Sequence, residues 1–341
     1  MSSDISGHKI ALAFEDGVTS FIRSMPGETV AAAAYRNGLN IPMDCREGAC
    51  GTCKSLCEAG DFEMSDYIDE ALSEDERAKG QVLTCKMKPL SDVMVRIPVS
   101  SAVCRGRPMP RHRGRVVQLQ ALSPTTFFLE LELAEGNALD FLAGQYANLF
   151  LPAGDKSRAY SFCSRPGARR VGFLIRNVPG GVMSGHLAQK ARVGDEMEFD
   201  APFGGFYLRP AARPVLMLAG GTGLAPFLSM LAVMAESGAR QPIHLVYGVT
   251  RDEDLVCEPE LQAFAARLPG FGYTACVTES QAAQVKRGYV SDHLDAVHFH
   301  DGQADVYLCG PPPMVTAIER TMTERGLKSH AMYYEKFLPG Q

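Results

Sequence analysis

Asp44-Cys45-Arg46-Glu47-Gly48-Ala49-Cys50-Gly51-Thr52-Cys53 sets three cysteines at the spacing C-x4-C-x2-C, and a fourth, Cys85, follows in Leu83-Thr84-Cys85. Three thiolates from one tight loop and one from a distant strand suit a [2Fe–2S] cluster. The residues between them fit that use. A backbone wrapping a cluster needs small side chains, which Gly48, Ala49 and Gly51 supply. The amides freed by the wrapping can hydrogen-bond the sulfides and tune the potential. A structural zinc site more commonly shows paired C-x2-C knuckles. Cys57 is a rival fourth ligand, but it follows Cys53 by only four residues, too short a reach across a cluster. It reads as a small buried hydrophobe. The expected metal ligands are therefore Cys45, Cys50, Cys53 and Cys85.

The rest of the chain is long enough for two or three domains, at 341 residues with 46% hydrophobic and 21% charged side chains. No apolar run approaches a membrane span, and the N-terminal Met1-Ser2-Ser3-Asp4 lacks a basic stretch and an apolar core. A cytoplasmic protein is expected, with its ten cysteines reduced or ligating metal rather than paired. Charge alternates along the chain. Residues 1–100 hold ten Lys+Arg against sixteen Asp+Glu, 101–213 hold fifteen against nine, and 214–341 hold nine against fourteen. That pattern suits domains docking on one another, or an acidic module meeting a basic patch on a partner, better than a nucleic-acid binder.

Taken in order, His8 to Phe14, a turn at Glu15-Asp16-Gly17 and Val18 to Met25 predict a hairpin. Pro26-Gly27-Glu28-Thr29 opens a helix over Val30 to Arg36 that Asn37-Gly38 can close. Between Glu58 and Glu76 there are nine acids and no lysine or arginine, with a short helix predicted over Tyr67–Leu72. Thr84–Met87 and Val93–Pro98 read as closing strands. A β-grasp module over residues 1–101 follows. Cys104 to Arg115 carries five arginines, two prolines and two glycines, so 102–113 reads as a linker lying against the acidic module. Without interleaved aromatics it is a poor nucleic-acid site. Residues 114–210 are strand-rich and predict an antiparallel barrel. From 211 to 341, apolar strands such as Val215–Ala219, Ile243–Tyr247 and Asp305–Cys309 alternate with helices, which predicts a parallel sheet.

Two phosphate-binding turns stand out. Arg158-x-Tyr160-Ser161 on a strand can clamp a diphosphate, lay a ring against an isoalloxazine and offer a hydroxyl to flavin N5. Gly180-Gly181-x-x-Ser184 follows as a turn whose amides and hydroxyl can receive phosphate oxygens. Gly220-Gly221-Thr222-Gly223-Leu224-Ala225-Pro226 lies between an apolar strand and a helix, the context in which glycines let backbone approach a pyrophosphate. Cys309-Gly310-Pro311-Pro312 ends a second strand at the same carboxyl edge of the sheet.

On these three motifs the chain resembles the ferredoxin–NADP reductase superfamily. With a plant-type ferredoxin in front, it is similar to the reductase components of aromatic-ring-hydroxylating dioxygenases. Asp66–Leu72 and Tyr333–Phe337 are similar to benzoate 1,2-dioxygenase reductases in particular. The resemblance implies FAD held by Arg158, Tyr160, Ser161, Gly181, Met183 and Ser184. It implies a nicotinamide bordered by Thr222 and Cys309, within a nucleotide site that includes Gly221, Gly223 and Gly310. It also implies a catalytic role for Ser161, Cys309 and Glu335, with Phe337, or else Tyr334, covering the flavin.

The loop Gly248–Leu255 sets one arginine, Arg251, against Asp252, Glu253 and Asp254. A free ribose diol prefers a carboxylate such as Asp252, so NADH is expected rather than NADPH. The resemblance implies electrons passing from NADH through FAD and [2Fe–2S] to a terminal Rieske-type oxygenase, with a monomer expected. A di-iron monooxygenase, or an anthranilate or toluate dioxygenase, would use the same carrier. A non-catalytic redox sensor with zinc in place of the cluster is the reading from a different class.

Overall fold

The alternation in Lys9–Phe14 does place every second residue inside: Ile10 and Leu12 are fully buried and Phe14 nearly so. The computed structural model describes residues 7–43, 48–49, 51–104, 110–134, 138–152, 157–210, 212–280 and 285–337. The chain divides into two compact units, Met1–Pro110 and Arg111–Gln341.

In the first unit β1 (Lys9–Phe14) and β2 (Thr19–Arg23) form the expected hairpin, and β7 (Val93–Ile97) runs parallel to β1. Helix α1 (Val30–Arg36) is capped by the Thr29 side chain, which accepts from Ala32 N, and closes at Asn37. Such a cap is worth about 1 kcal/mol. The four alanines keep the helix thin against the sheet, where Val30, Ala33 and Ala34 are fully buried. Truncating the fully buried Leu12 of β1 costs about 2–5 kcal/mol. Strands β3 (Lys54–Ala59) and β5 (Gln81–Leu83), which the sequence did not reveal, complete a sheet ordered β2-β1-β7-β3-β5. A small pair, β4 (Phe62–Met64) and β6 (Met87–Pro89), sits beside it. This is a β-grasp arrangement.

Two local expectations fail here. The predicted helix over Tyr67–Leu72 is only a turn, and helix α2 spans Glu74–Ala78 instead. Ser73 and Glu76 form a reciprocal capping box, which fixes the start after the apolar Ala71-Leu72 pair rather than before it. Thr84-Cys85-Lys86 is a turn between β5 and β6, so Cys85 projects from a bend and not from a strand. Cys57 on β3 is half-buried, with its sulfur 3.4 Å from Ala59 O.

The second unit opens with β8 (Arg111–Ser123), so Arg111 to Arg113 belong to a strand rather than a linker. Arg111 pairs with Asp200 and Glu198, and Arg113 with Glu198. The adjacent strand β13 (Glu196–Phe203) offers those carboxylates in register. With β9 (Thr126–Leu133), β10 (Tyr146–Phe150), β11 (Ser157–Ser161) and β12 (Arg170–Arg176), the antiparallel order is β11-β10-β13-β8-β9-β12. A bridge between Phe162 and Phe173 joins the two ends into a barrel. Its interior holds Leu129, Leu131, Phe162, Phe173 and Phe199, all fully buried. Helix α3 (Val182–Gln189) lies over it.

The sheet that follows is parallel: β14 (Val215–Gly220), β15 (Ile243–Val249), β16 (Phe271–Val277), β17 (Lys286–Arg287), β18 (Asp305–Gly310) and β19 (Ala331–Lys336). Helices α4 (Ala225–Glu236), α5 (Glu258–Arg267) and α6 (Pro312–Glu324) flank it. The order β17-β16-β15-β14-β18-β19 reverses between β14 and β18, so a ligand cleft opens at their carboxyl ends. Arg209 anchors the chain leaving the barrel: its guanidinium stacks on Tyr207 and faces Tyr333 on β19. The Arg209 backbone N–H donates to the Tyr307 hydroxyl at 3.0 Å.

Candidate functional site

The reversal point brings together residues far apart in the chain. Ser161, the last residue of β11, donates its hydroxyl to Glu335 Oε2 at 3.1 Å. Glu335 on β19 is the register partner of Cys309 on β18, whose sulfur lies 4.0 Å from the same oxygen. Complete burial pushes the Cys309 thiol well up, helped by the Glu335 charge, so it stays a neutral thiol. On the barrel side Ser161 pairs in register with Tyr146, and Tyr146 with Phe203. Gly204 lets the Tyr146 ring lie flat beside it, since a Cβ there would stand 2.9 Å from the ring. Ser161, Cys309 and Glu335 thus converge from three strands and two halves of the unit.

The glycine turn meets the same place. Gly220 ends β14, and Gly221 at φ +54 starts the bend Gly221–Leu224 into α4. At Gly223 a Cβ would drive into the Cys309 carbonyl, so only glycine lets the turn nest on the end of β18. Thr222 is buried in this bend. Gly310 abuts Met314, and its carbonyl accepts the Phe337 N–H at 2.9 Å. Phe337 is therefore pinned at the edge that carries Cys309, with its ring against the apolar cluster under the sheet. Tyr334 packs on the opposite cluster, with the Lys336 ammonium 5.5 Å from its ring centre.

The second phosphate turn is equally tight. Gly180 has φ +72, and Gly181 is the N-cap of α3. A Cβ on Gly181 would fall 2.6 Å from Ser184 Oγ. That hydroxyl accepts from Val178 N at 3.2 Å and donates to Val178 O at 2.9 Å, holding the loop closed. Met183 sends its side chain into the barrel core. Arg158 and Tyr160 stand on β11 before Ser161, with Tyr160 against the barrel cluster and its hydroxyl pushed up by burial.

In the loop after β15 the three acids take separate partners. Asp252 accepts from Ser280 Oγ at 2.6 Å. Arg251 is drawn to Glu279 at 3.6 Å and Glu253 at 3.9 Å, so its charge is already matched. Asp254 faces the barrel, and its carboxylate accepts from the Ser123 hydroxyl at 3.1 Å and from Thr125. Sequence reasoning assigned Asp254 to the nucleotide loop and missed that contact, for which Ser123-Pro124-Thr125 is the only local hint.

In the first unit Cys53 and Cys85 are buried with their sulfurs 3.2 Å apart, and Cys45 and Cys50 lie outside the described residues. Thr84 holds the Cys85 bend on the Cys53 carbonyl through its N–H at 3.2 Å and its hydroxyl at 3.3 Å. Gly48 and Gly51 have φ +74 and +75, and a Cβ on Gly48 would stand 2.7 Å from Tyr67 Cβ. Two close, buried soft ligands beside left-handed glycines fit an iron–sulfur centre.

Fold and site define an oxidoreductase joining a [2Fe–2S] module to flavin and nicotinamide modules. Residues 13–90 match the 2Fe-2S iron-sulfur cluster binding domain, 113–207 the oxidoreductase FAD-binding domain and 217–320 the oxidoreductase NAD-binding domain. The chain is 48% identical to the toluate 1,2-dioxygenase electron transfer component of Pseudomonas putida, covering 97% of this chain and 98% of that one. It is 46% identical to the 2-halobenzoate 1,2-dioxygenase electron transfer component of Burkholderia cepacia, over the same shares. Among solved structures, the Amycolatopsis cytochrome P450 reductase GcoB matches at TM-score 0.72 and 28% identity, covering 97% of this chain and 99% of that one. The chain belongs to the family of dioxygenase electron transfer components. It is an NADH-dependent oxidoreductase that uses FAD and a [2Fe–2S] cluster.

Proposed function

We propose that the chain delivers electrons to the terminal Rieske-type oxygenase of a dioxygenase acting on benzoate or a closely related aromatic acid. Full-length similarity to the toluate and 2-halobenzoate components supports that partner and substrate class. The convergence of Ser161, Glu335 and Cys309 carries the reading of the electron entry site. When bound, FAD accepts a hydride from NADH and releases single electrons, which the cluster relays.

The protein's part is to bind, orient and exclude water. Arg158, Gly181, the Met183 backbone and Ser184 hold the flavin diphosphate, and Tyr160 lies along the ring. Ser161 would set its hydroxyl at the flavin N5 edge, and Glu335, which accepts that hydroxyl's one hydrogen in the structure, would fix the direction of its oxygen lone pairs. Cys309, neutral and buried, keeps water from the nicotinamide C4. Gly221, Thr222, Gly223 and Gly310 admit the nucleotide backbone, and Asp252 accepts from the ribose diol. Phe337 shields the flavin face, a role for which Tyr334, packed on the opposite cluster, is not placed. Cys45, Cys50, Cys53 and Cys85 ligate the cluster. The division runs 1–101, a linker that ends before β8 rather than at 113, a barrel module to 210 and a nucleotide module over 211–341, and the protein works as a cytoplasmic monomer. No helix among the described residues is long and apolar enough to cross a membrane.

The test is the visible spectrum before and after anaerobic NADH. Flavin bands with a broad iron–sulfur shoulder, bleaching within the mixing time, are expected. Flavin bands without the shoulder would remove the cluster from the path. Oxygen uptake with benzoate and candidate oxygenases, di-iron enzymes included, then identifies the acceptor.

A further inference from the structure

We infer that Asp254 is a positioning residue that ties the nucleotide-ribose loop to the flavin-phosphate turn, so that NADH affinity depends on the barrel. This rests on the proposed FAD and NADH sites. Asp254 is 8% exposed and stands two residues after Asp252 in the same tight bend. Its carbonyl accepts the hydroxyl of the buried Tyr247 at 3.3 Å, which roots the bend in β15. Its carboxylate leaves the α/β half and accepts from Ser123 and Thr125, which form the β8–β9 turn of the barrel.

The connection continues beyond that turn. Thr125 O accepts the Asn177 N–H at 2.8 Å, and Pro124 O accepts the Asn177 side-chain amide at 3.0 Å. Asn177 follows β12 directly, and the next residue, Val178, is the one clasped by Ser184. Hydrogen bonds, joined by short stretches of backbone, therefore link the loop of Asp252 to the turn Gly180–Ser184. A carboxylate is suited to the junction because one oxygen can accept two hydroxyls. Its burial makes the loss of either donor felt, since a desolvated carboxylate keeps few other partners.

The experiment measures NADH-driven ferricyanide reduction, FAD retention and thermal stability in the full chain. Wild type is compared with Asp254→Ala, Asp254→Asn, Ser123→Ala and Ser123→Ala/Thr125→Val. Asp254→Ala should raise KM for NADH about tenfold with kcat changed less than about twofold, the signature of a displaced binding loop. Its FAD dissociation should quicken about threefold. The barrel double variant should reproduce both effects, and combining it with Asp254→Ala should add nothing. Asp254→Asn, which keeps one acceptor, should recover part of the KM. Ser123→Ala is mild enough to fold in any case and should raise KM two- to threefold.

An unchanged KM in Ser123→Ala and Asp254→Ala, or full additivity, overturns the inference while leaving the NADH reaction intact. So does a lower melting temperature with no shift in KM. Wild type that fails to reduce dye with NADH overturns the proposed function itself.

Discussion

The Ser161 hydroxyl meets the Glu335 carboxylate at 3.1 Å across 174 residues of sequence, joining the end of barrel strand β11 to the last strand of the parallel sheet. A single hydrogen bond thus couples the two halves where flavin and nicotinamide are proposed to meet. A hydrogen bond to a charged acceptor is worth about 1.5–3 kcal/mol. Glu335→Gln and Ser161→Ala should each slow NADH-driven dye reduction at least about tenfold, mainly in kcat, with FAD still bound. Stopped-flow flavin reduction checks this. A loss confined to KM would assign the pair to binding alone.

The cluster lies downstream of the flavin in the proposed order, so the two activities are separable. Cys50→Ser or Cys53→Ser should spare ferricyanide reduction within about twofold and abolish reduction of cytochrome c or a Rieske acceptor. Parallel assays on one preparation decide it. Equal loss of both would reverse the electron order.

Much of this architecture is written locally. The cysteine spacing, the two glycine turns and the apolar run Val215–Ala219 each announce their structure within about ten residues. The failures have physical causes. Tyr67–Leu72 has helical composition, but the Ser73–Glu76 capping box sets the helix start further on. Arg111 and Arg113 read as part of a linker because the carboxylates that pair with them, Glu198 and Asp200, lie some 85 residues further on and are brought alongside only by the register of β8 with β13. The meeting of Ser161, Cys309 and Glu335 carries no short-range signal at all. Only topology, or resemblance to a family that shares it, makes that site visible.

Gly223 is the tightest backbone approach at the nucleotide edge. An added methyl would overlap the Cys309 carbonyl, a backbone atom that cannot swing aside. Gly223→Ala should destabilise the chain by about 1–3 kcal/mol and weaken NADH binding more than tenfold. Gly180, at φ +72 with open space around its position, is a control in which a methyl meets strain but no clash. Thermal melts with and without NADH separate the two.

Coenzyme preference should follow the charges around Asp252. Arg251 is matched by Glu253 and Glu279, which leaves a 2′-phosphate facing net negative charge. Asp252→Ala together with Glu279→Gln should lower the NADH-to-NADPH ratio of kcat/KM by about ten- to a hundredfold. Steady-state kinetics with both coenzymes test it. A ratio that does not move would place the ribose elsewhere.

The stacked pair His244 and His298, with ring centres 3.6 Å apart and planes at 9°, makes acid stability predictable. Burial, then the neighbouring His298, lowers His244 from the usual 6.5 to about 4, and burial also lowers His298. Lys286 adds to both shifts, while Asp295 opposes them. The sign follows from proton uptake. Between pH 6.5 and about 4 the unfolded chain binds a proton that the folded chain refuses, so stability is complete above 6.5 and falls on acidification. His244 is only partly buried, and allowing for solvent screening the loss is on the order of 1–2 kcal/mol. His244→Phe keeps a stacking ring without a titrating nitrogen. Its melting temperature should fall less than that of wild type between pH 7 and pH 4.5, with carboxylate titrations common to both cancelling in the difference. Identical pH profiles would mean that the pair accepts its proton without leaving the stack.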